Sequence, residues 1–348
     1  MVSRKEEHEA YLKNVLSKSL SSENPSNDTV KKAEKNSSTF FKQLKEGLLN
    51  KYEGESFNDF PNTSNCTNEY GETLKIISEE KTDFNLNKAD INEDLTCDLK
   101  IINGIGPSTE GKLKEKGYNN IYDLLNHDTY NKKAEKVIND LESADYTSKI
   151  QILKDNSKDK NNLLKCACDI PEENFKFMDI ETLGLSNVPI ILIGIAEVKN
   201  KRITTSQYLL RERSEEPALI REFFKHLTND SVFVTFNGKS FDVPFIENRA
   251  AYYRIDYPKK LINYDLMYYA RNLWKDILPN CQLQTIEREI FNIKRDDDVP
   301  GAYIPGYWET YHQENNIGPL VPIVEHNRLD IVNLATFFNY MFNEACSD

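Results

Sequence analysis

Five side chains in the second half of this 348-residue chain have the types and spacing to hold metal ions beside a water molecule. Phe175-Lys176-Phe177-Met178-Asp179-Ile180-Glu181 reads as a strand, whose period of two sets Phe175, Phe177, Asp179 and Glu181 on one face. Those two carboxylates stand about 6.6 Å apart along the backbone and repel unless a cation lies between or beside them. Lys176 faces the other way and supplies no local counterion. Downstream, Phe236-Asn237-Gly238-Lys239-Ser240-Phe241-Asp242-Val243-Pro244 places a third carboxylate at a strand-to-helix junction, because Pro244 suits a first helical turn. Taken alone, Asp242 is fully explained as a helix cap. Glu325-His326-Asn327-Arg328-Leu329-Asp330 opens a last helix with a broad apolar face, and His326 and Asp330, four apart, project from one side. Such a pair by itself is more often a local hydrogen bond than a site. The four carboxylates together suit Mg²⁺ or Mn²⁺, which prefer hard oxygen ligands.

The elements that must hold these residues follow from the apolar pattern. Pro189 to Lys199 and Ile203 to Leu210 read as strands, and Leu219, Ile220, Phe223, Phe224 and Leu227 fall on one side of an amphipathic helix. Ser231 to Phe236 is a further short strand. Three strands with short connections, then a helix and another strand, fit the mixed sheet of the ribonuclease H fold.

The ordered set Asp179-x-Glu181, Asn237-x-x-x-Phe241-Asp242 and His326-x-x-x-Asp330 resembles the three motifs of the DEDD superfamily of 3′→5′ exonucleases. More narrowly, it resembles the exonucleases with a YprB-type ribonuclease-H-like domain. Tyr264-Asp265-Leu266, Leu283-Gln284-Thr285-Ile286-Glu287 and Arg295-Asp296-Asp297-Asp298-Val299-Pro300-Gly301 look like the intervening segments of that family. The resemblance covers about Phe175 to Phe342. It implies a two-metal mechanism in which Asp179 bridges the ions, Glu181 and Asp330 complete the first, and Asp242 holds the second. It also implies that His326 takes or orients the proton of the attacking water. One departure stands out: three residues between His326 and Asp330 is the spacing of the subgroup that uses tyrosine, whereas histidine belongs to the subgroup with a longer gap. Asn237 and Arg295 are expected to touch nucleic acid, although a salt bridge from Arg295 to Asp296, Asp297 or Asp298 suits the sequence equally well.

Upstream, Leu99, Ile101 and Ile102 run into Asn103-Gly104-Ile105-Gly106-Pro107, and Lys112, Lys114 and Lys116 follow. This resembles a helix-hairpin-helix module, in which bare glycine backbone approaches a phosphate at a helix start. Gly104, Ile105, Gly106 and Lys112 are its expected nucleic-acid contacts. The alternative is a helical hairpin whose glycines only turn the chain. The expected class is therefore α/β, a ribonuclease-H-like mixed sheet flanked by helices, with a small all-α helix-hairpin-helix module N-terminal to it. The expected segments are a flexible polar 1–38 with one helix around Glu9 to Leu20, a small α+β appendage 39–95, the hairpin module 96–145, a charged and partly helical linker 146–170, and the catalytic domain 171–348. A truncation after about Ser143 is expected to keep activity on short oligonucleotides and weaken binding to long ones.

The net charge of −12 gives no general attraction to phosphate, so binding is expected through metals and a small local basic patch. The six cysteines lack the paired spacing of a zinc site and are expected to be reduced thiols. With no N-terminal signal and no apolar run long enough to span a bilayer, a cytoplasmic protein away from membranes is expected. The expected partner is nucleic acid, DNA or RNA, single-stranded or with a free 3′ end. The competing reading is a non-catalytic nucleic-acid-binding protein on a ribonuclease-H-like scaffold.

Overall fold

The computed structural model describes residues 40–57, 60, 62–86, 95–143, 145–156, 160–259, 261–295 and 299–347. The expected mobile segment 1–38, its helix, and Asp296 to Asp298 lie outside these. In chain order come helix α1 (40–51), strands β1 (Thr63–Asn68) and β2 (Gly71–Lys81), and helices α2 (Pro107–Glu115), α3 (Asn131–Ser143), α4 (Tyr146–Asn156) and α5 (Lys160–Lys165). Then follow β3 (Phe175–Thr182), β4 (Ile190–Lys199), β5 (Arg202–Leu209), α6 (Glu216–Phe224), β6 (Val232–Thr235), α7 (Asp242–Tyr253), β7 (Ile262–Asp265), α8 (Leu266–Trp274), α9 (Leu283–Glu289), α10 (Ile304–Glu314) and α11 (Val321–Ser347). Two units are distinguishable. The first comprises the described residues up to Glu80 with Phe177–Ala196 and Ile203–Leu334, and the second comprises Lys81–Lys176, Glu197–Arg202 and the described residues from Ala335 on.

The first unit is built on a mixed seven-stranded sheet of order β1-β2-β5-β4-β3-β6-β7. Asn200 and Lys201 both have positive φ, 54° and 59°, as a two-residue hairpin of the primed type between β4 and β5 requires. β3 pairs antiparallel with β4, while β6 and β7, joined through α7, are parallel. Strands buried on both faces read as continuous apolar runs, and Ile190 to Ile193 are all buried, packed in one core with Met178, Tyr208, Phe223 and Phe233. The β1–β2 hairpin is the edge of this same sheet and not an appendage. Thr73 Oγ1 donates to Leu209 O of β5 at 3.4 Å, and Asn68 Nδ2 reaches Ala218 O and Glu222 Oε1 of α6 at 3.0 and 2.8 Å.

In the second unit, Phe84, Phe175 and Phe338 pack with ring centroids 5.4 to 6.2 Å apart. Lys176 is paired with Glu197 there. The expected linker 146–170 is largely helical, with Ile150, Leu153 and Leu164 buried beside the cores of the preceding helices. Among the described residues no helix is long and apolar enough to cross a membrane.

Candidate active site

Glycine at position 194 decides how closely the last helix approaches the carboxylate strand. Asp179 of β3 stands opposite Gly194 of β4. A Cβ on Gly194 would lie 2.1 Å from Ile331 Cδ1 and 2.2 Å from Asn327 Oδ1, so any larger residue would force those two side chains of α11 to shift. At this range Asn327 Nδ2 donates to both Asp179 O (3.1 Å) and Asp179 Oδ2 (2.9 Å). Gln207 Nε2 of β5 in turn donates to Asn327 Oδ1 (2.9 Å) and Val324 O (2.8 Å). The amide ladder from Gln207 through Asn327 fixes the Asp179 carboxylate against the sheet. α11 starts at Val321, so His326 and Asp330 stand inside the helix instead of opening it at Glu325.

The expected carboxylates and histidine do meet. His326 Nε2 lies 3.6 Å from both Glu181 Oε1 and Asp330 Oδ2. Asp242 begins α7 without capping it: the cap position is Phe241, no side chain caps there, and Asp242 Oδ1 accepts the Ile180 N–H of β3 at 3.2 Å. The carboxylate is thus held at the strand that carries Asp179 and Glu181. Burial, reinforced by Asp330, Glu181 and Asp242, raises the Asp179 carboxyl well above the usual range, with His326 opposing. Burial likewise pushes Asp242 up to about 7, against the hydrogen bonds from its own and the Ile180 N–H groups, while Asp265 and Asp330 add repulsion.

Several neighbours have parts in the site that the sequence reading did not assign them. Arg295 is not a surface contact. Its side chain is 5% exposed and its Nη2 pairs with both Asp330 Oδ1 and Glu287 Oε1. The loop from β6 needs partners for its backbone, and Asp265 supplies them, accepting Asn237 N at 2.8 Å and Lys239 N at 3.0 Å as well as capping α8 through Met267 N at 3.2 Å. Asn237 itself sits at φ 66°, a left-handed position that asparagine tolerates, so its visible part here is to turn the chain toward Asp242. Glu287 Oε1 also accepts Asn333 Nδ2 at 2.7 Å. The hint for Asp265 and Glu287 was an acidic residue set among apolar ones, in Tyr264-Asp265-Leu266 and Thr285-Ile286-Glu287.

Arg295 Nη1 is 3.5 Å from His326 Nδ1, and the other ring nitrogen, Nε2, faces Glu181 and Asp330. Among the described residues no three His, Cys, Asp or Glu side chains converge on one point with metal-ligand geometry. The donor set nevertheless suits a hard cation, since the oxygens are carboxylates, and burial together with their mutual repulsion raises Asp179. Cys166 and Cys168 are free and buried, which pushes both thiols to about 12, so neither supplies a thiolate. Beside the Asp242 end of α7 lies a cavity of about 470 Å³ whose lining includes Leu185, Asn187, Phe241, Asn248 and Tyr252. Leu185 and Tyr252 are 86% and 71% exposed.

In the second unit, Gly104 takes φ 97°, Ile105 is buried, and Gly106 precedes Pro107 at the start of α2. Lys133 Nζ donates to Asn103 O at 2.9 Å across this turn. Lys114 is drawn to Glu110 at 3.2 Å, while Lys112 is exposed.

Residues 176–342 match the family described as RNase_H superfamily. Among curated proteins, the Uncharacterized protein YprB of Bacillus subtilis (strain 168) is 32% identical over 182 residues, 51% of this chain and 44% of that protein. DNA polymerase 1 of Sulfurisphaera ohwakuensis is 27% identical over 99 residues, 28% of this chain and 11% of that protein. The matched part therefore spans less than half the length of either relative. With the sheet order and flanking helices described above, the chain has an α/β, ribonuclease-H-like fold.

Proposed function

We propose that this chain is a metal-dependent 3′→5′ exonuclease that hydrolyses phosphodiester bonds of DNA or RNA. One observation carries the reading: four carboxylates and an imidazole, from one strand and two helices, gather where Asp179 feels Asp330, Glu181 and Asp242 together. So much negative charge in a desolvated place favours divalent cations over bare ionised carboxylates. Two Mg²⁺ or Mn²⁺ ions, when bound, would activate water and stabilise charge on the leaving 3′-oxygen in an in-line displacement. Asp179, Glu181, Asp242 and Asp330 would be the residues that hold them. Asn327 holds the Asp179 carboxylate, and His326, with Nε2 beside Glu181 and Asp330, would take or orient the proton of the attacking water. Exposed Leu185 and Tyr252, with Phe241, offer flat apolar surface to unpaired bases, which supports a single-stranded 3′ end as substrate. The turn at Gly104-Ile105-Gly106, with Lys112 beyond it, is proposed as a helix-hairpin-helix that adds phosphate contacts of its own.

The test is digestion of end-labelled single- and double-stranded DNA and RNA with and without Mn²⁺. A 5′-labelled strand is expected to shorten stepwise. Asp179→Ala is expected to abolish cleavage while the protein stays folded, since Asp179 is the carboxylate on which Glu181, Asp242 and Asp330 all act. Tight binding with no cleavage by the parent protein would favour the non-catalytic reading, and metal-dependent cleavage by a folded Asp179→Ala protein would refute the assignment of the site.

A further inference from the structure

The cation standing in the carboxylate cluster is a side chain. Arg295 gives one nitrogen, Nη2, to two carboxylates at once, Asp330 and Glu287, while Nη1 approaches His326. Glu287 is tied by Asn333, which follows Asp330 by one turn of α11. The guanidinium is therefore moored to the same helix that carries Asp330 and His326.

A guanidinium does not lose its proton, and at 5% exposure it does not reach bulk water. Asp330 is thus a neutralised ligand. A metal ion that uses its oxygens meets a competing cation. The second carboxylate makes the exchange feasible, because Arg295 can give up Asp330 and keep Glu287, so no buried charge is stranded.

Resting on the reading of this cluster as a divalent-metal centre, we propose that Arg295 is a resident counter-cation which metal binding at Asp330 displaces onto Glu287. Arg295 and Glu287 together then set how tightly the site takes its metal. Removing the guanidinium leaves the carboxylates repelling one another but clears Asp330 for the ion. Neutralising Glu287 removes the alternative partner and strengthens the hold of Arg295 on Asp330. A purely structural Arg295 would have one sign of effect, since its loss would weaken both the fold and the metal site.

The experiment is calorimetric titration of the full chain with Mn²⁺, without nucleic acid, on the parent protein, Arg295→Met and Glu287→Gln, together with urea midpoints in EDTA. Arg295→Met is expected to unfold at lower urea in EDTA yet to bind Mn²⁺ about tenfold tighter, and Glu287→Gln to bind it about tenfold more weakly. Arg295→Met that binds no tighter than the parent would overturn the proposal and make Arg295 a strut for Asp330. If Arg295→Met does not fold, Glu287→Gln decides, with unchanged or tighter binding overturning the proposal. A folded parent protein that binds no Mn²⁺ overturns the metal-centre reading itself, an outcome distinct from a parent that binds while the two variants fail to diverge.

Discussion

Asp242 gains a hydrogen bond from Ile180 but loses water, and its carboxyl titrates near 7 instead of in the usual acidic range. A carboxyl whose folded value lies above its unfolded one binds more protons in the folded state. Stability from this group is then present at low pH and falls as pH rises from about 4 toward 7, where the buried charge must form. In EDTA, the urea midpoint of the parent protein is expected to fall relative to that of Asp242→Asn between pH 5 and pH 8, since the amide can still accept from Ile180 and carries no charge. A difference that stays constant across that range would show that Asp242 is not desolvated as described. At this scale the sequence was readable where chemistry is dense. Asp179, Glu181, Asp242, His326 and Asp330 were found by type and spacing, and the structure brings them together. Arg295 was singled out too, but its partners, Glu287 and Asp330, stand 8 and 35 positions away and no local pattern couples them. Asn327 and Gln207 looked like ordinary polar residues, because a hydrogen-bond ladder across three elements leaves no periodic trace.

The elements do their positioning through close approach. α11 contacts β4 where Gly194 has no side chain, and that contact brings Asn327 within reach of Asp179. Gly194→Ala places a methyl where Ile331 and Asn327 already are, and overpacking of this kind typically costs about 1–3 kcal/mol. The expected outcome is a lower thermal midpoint together with a loss of turnover larger than the loss of substrate affinity, because His326 and Asp330 move with the helix. Full turnover in Gly194→Ala would mean that α11 tolerates displacement and that the Asn327 contact is not needed. A lone glycine in a strand signals close approach of some kind, but the sequence alone did not say by what. The β1–β2 hairpin shows the same limit: a small α+β segment was legible over 39–95, whereas its pairing with β5 joins residues more than a hundred positions apart. The start of α11 lies one turn before Glu325, at Val321, with Pro322 in its first turn.

For the whole molecule, a net charge of −12 means that phosphate must be met locally, at the metal centre and at whatever basic groups surround a helix start. The truncation after Ser143 suggested by sequence is not a clean test of the proposed hairpin module, since it also removes β1 and β2 from the sheet that carries the site and leaves β5 with an unpaired edge. A point change keeps the fold. Lys112 is exposed on α2, the helix that Gly106 and Pro107 begin, and it is free of the Glu110 pairing that draws Lys114 away. Lys112→Glu is expected to weaken binding to long single strands and to lower the slope of log affinity against log salt by about one, the signature of one lost phosphate contact. Cleavage of oligonucleotides too short to reach beyond the metal centre should be unaffected. Binding isotherms at 50 to 200 mM salt on a long and a short strand measure both. An unchanged slope on the long strand would leave Gly104-Ile105-Gly106 as a turn that packs Ile105 and nothing more, whereas an equal loss on both strands would mean that Lys112 acts on the catalytic site and not as a separate phosphate contact.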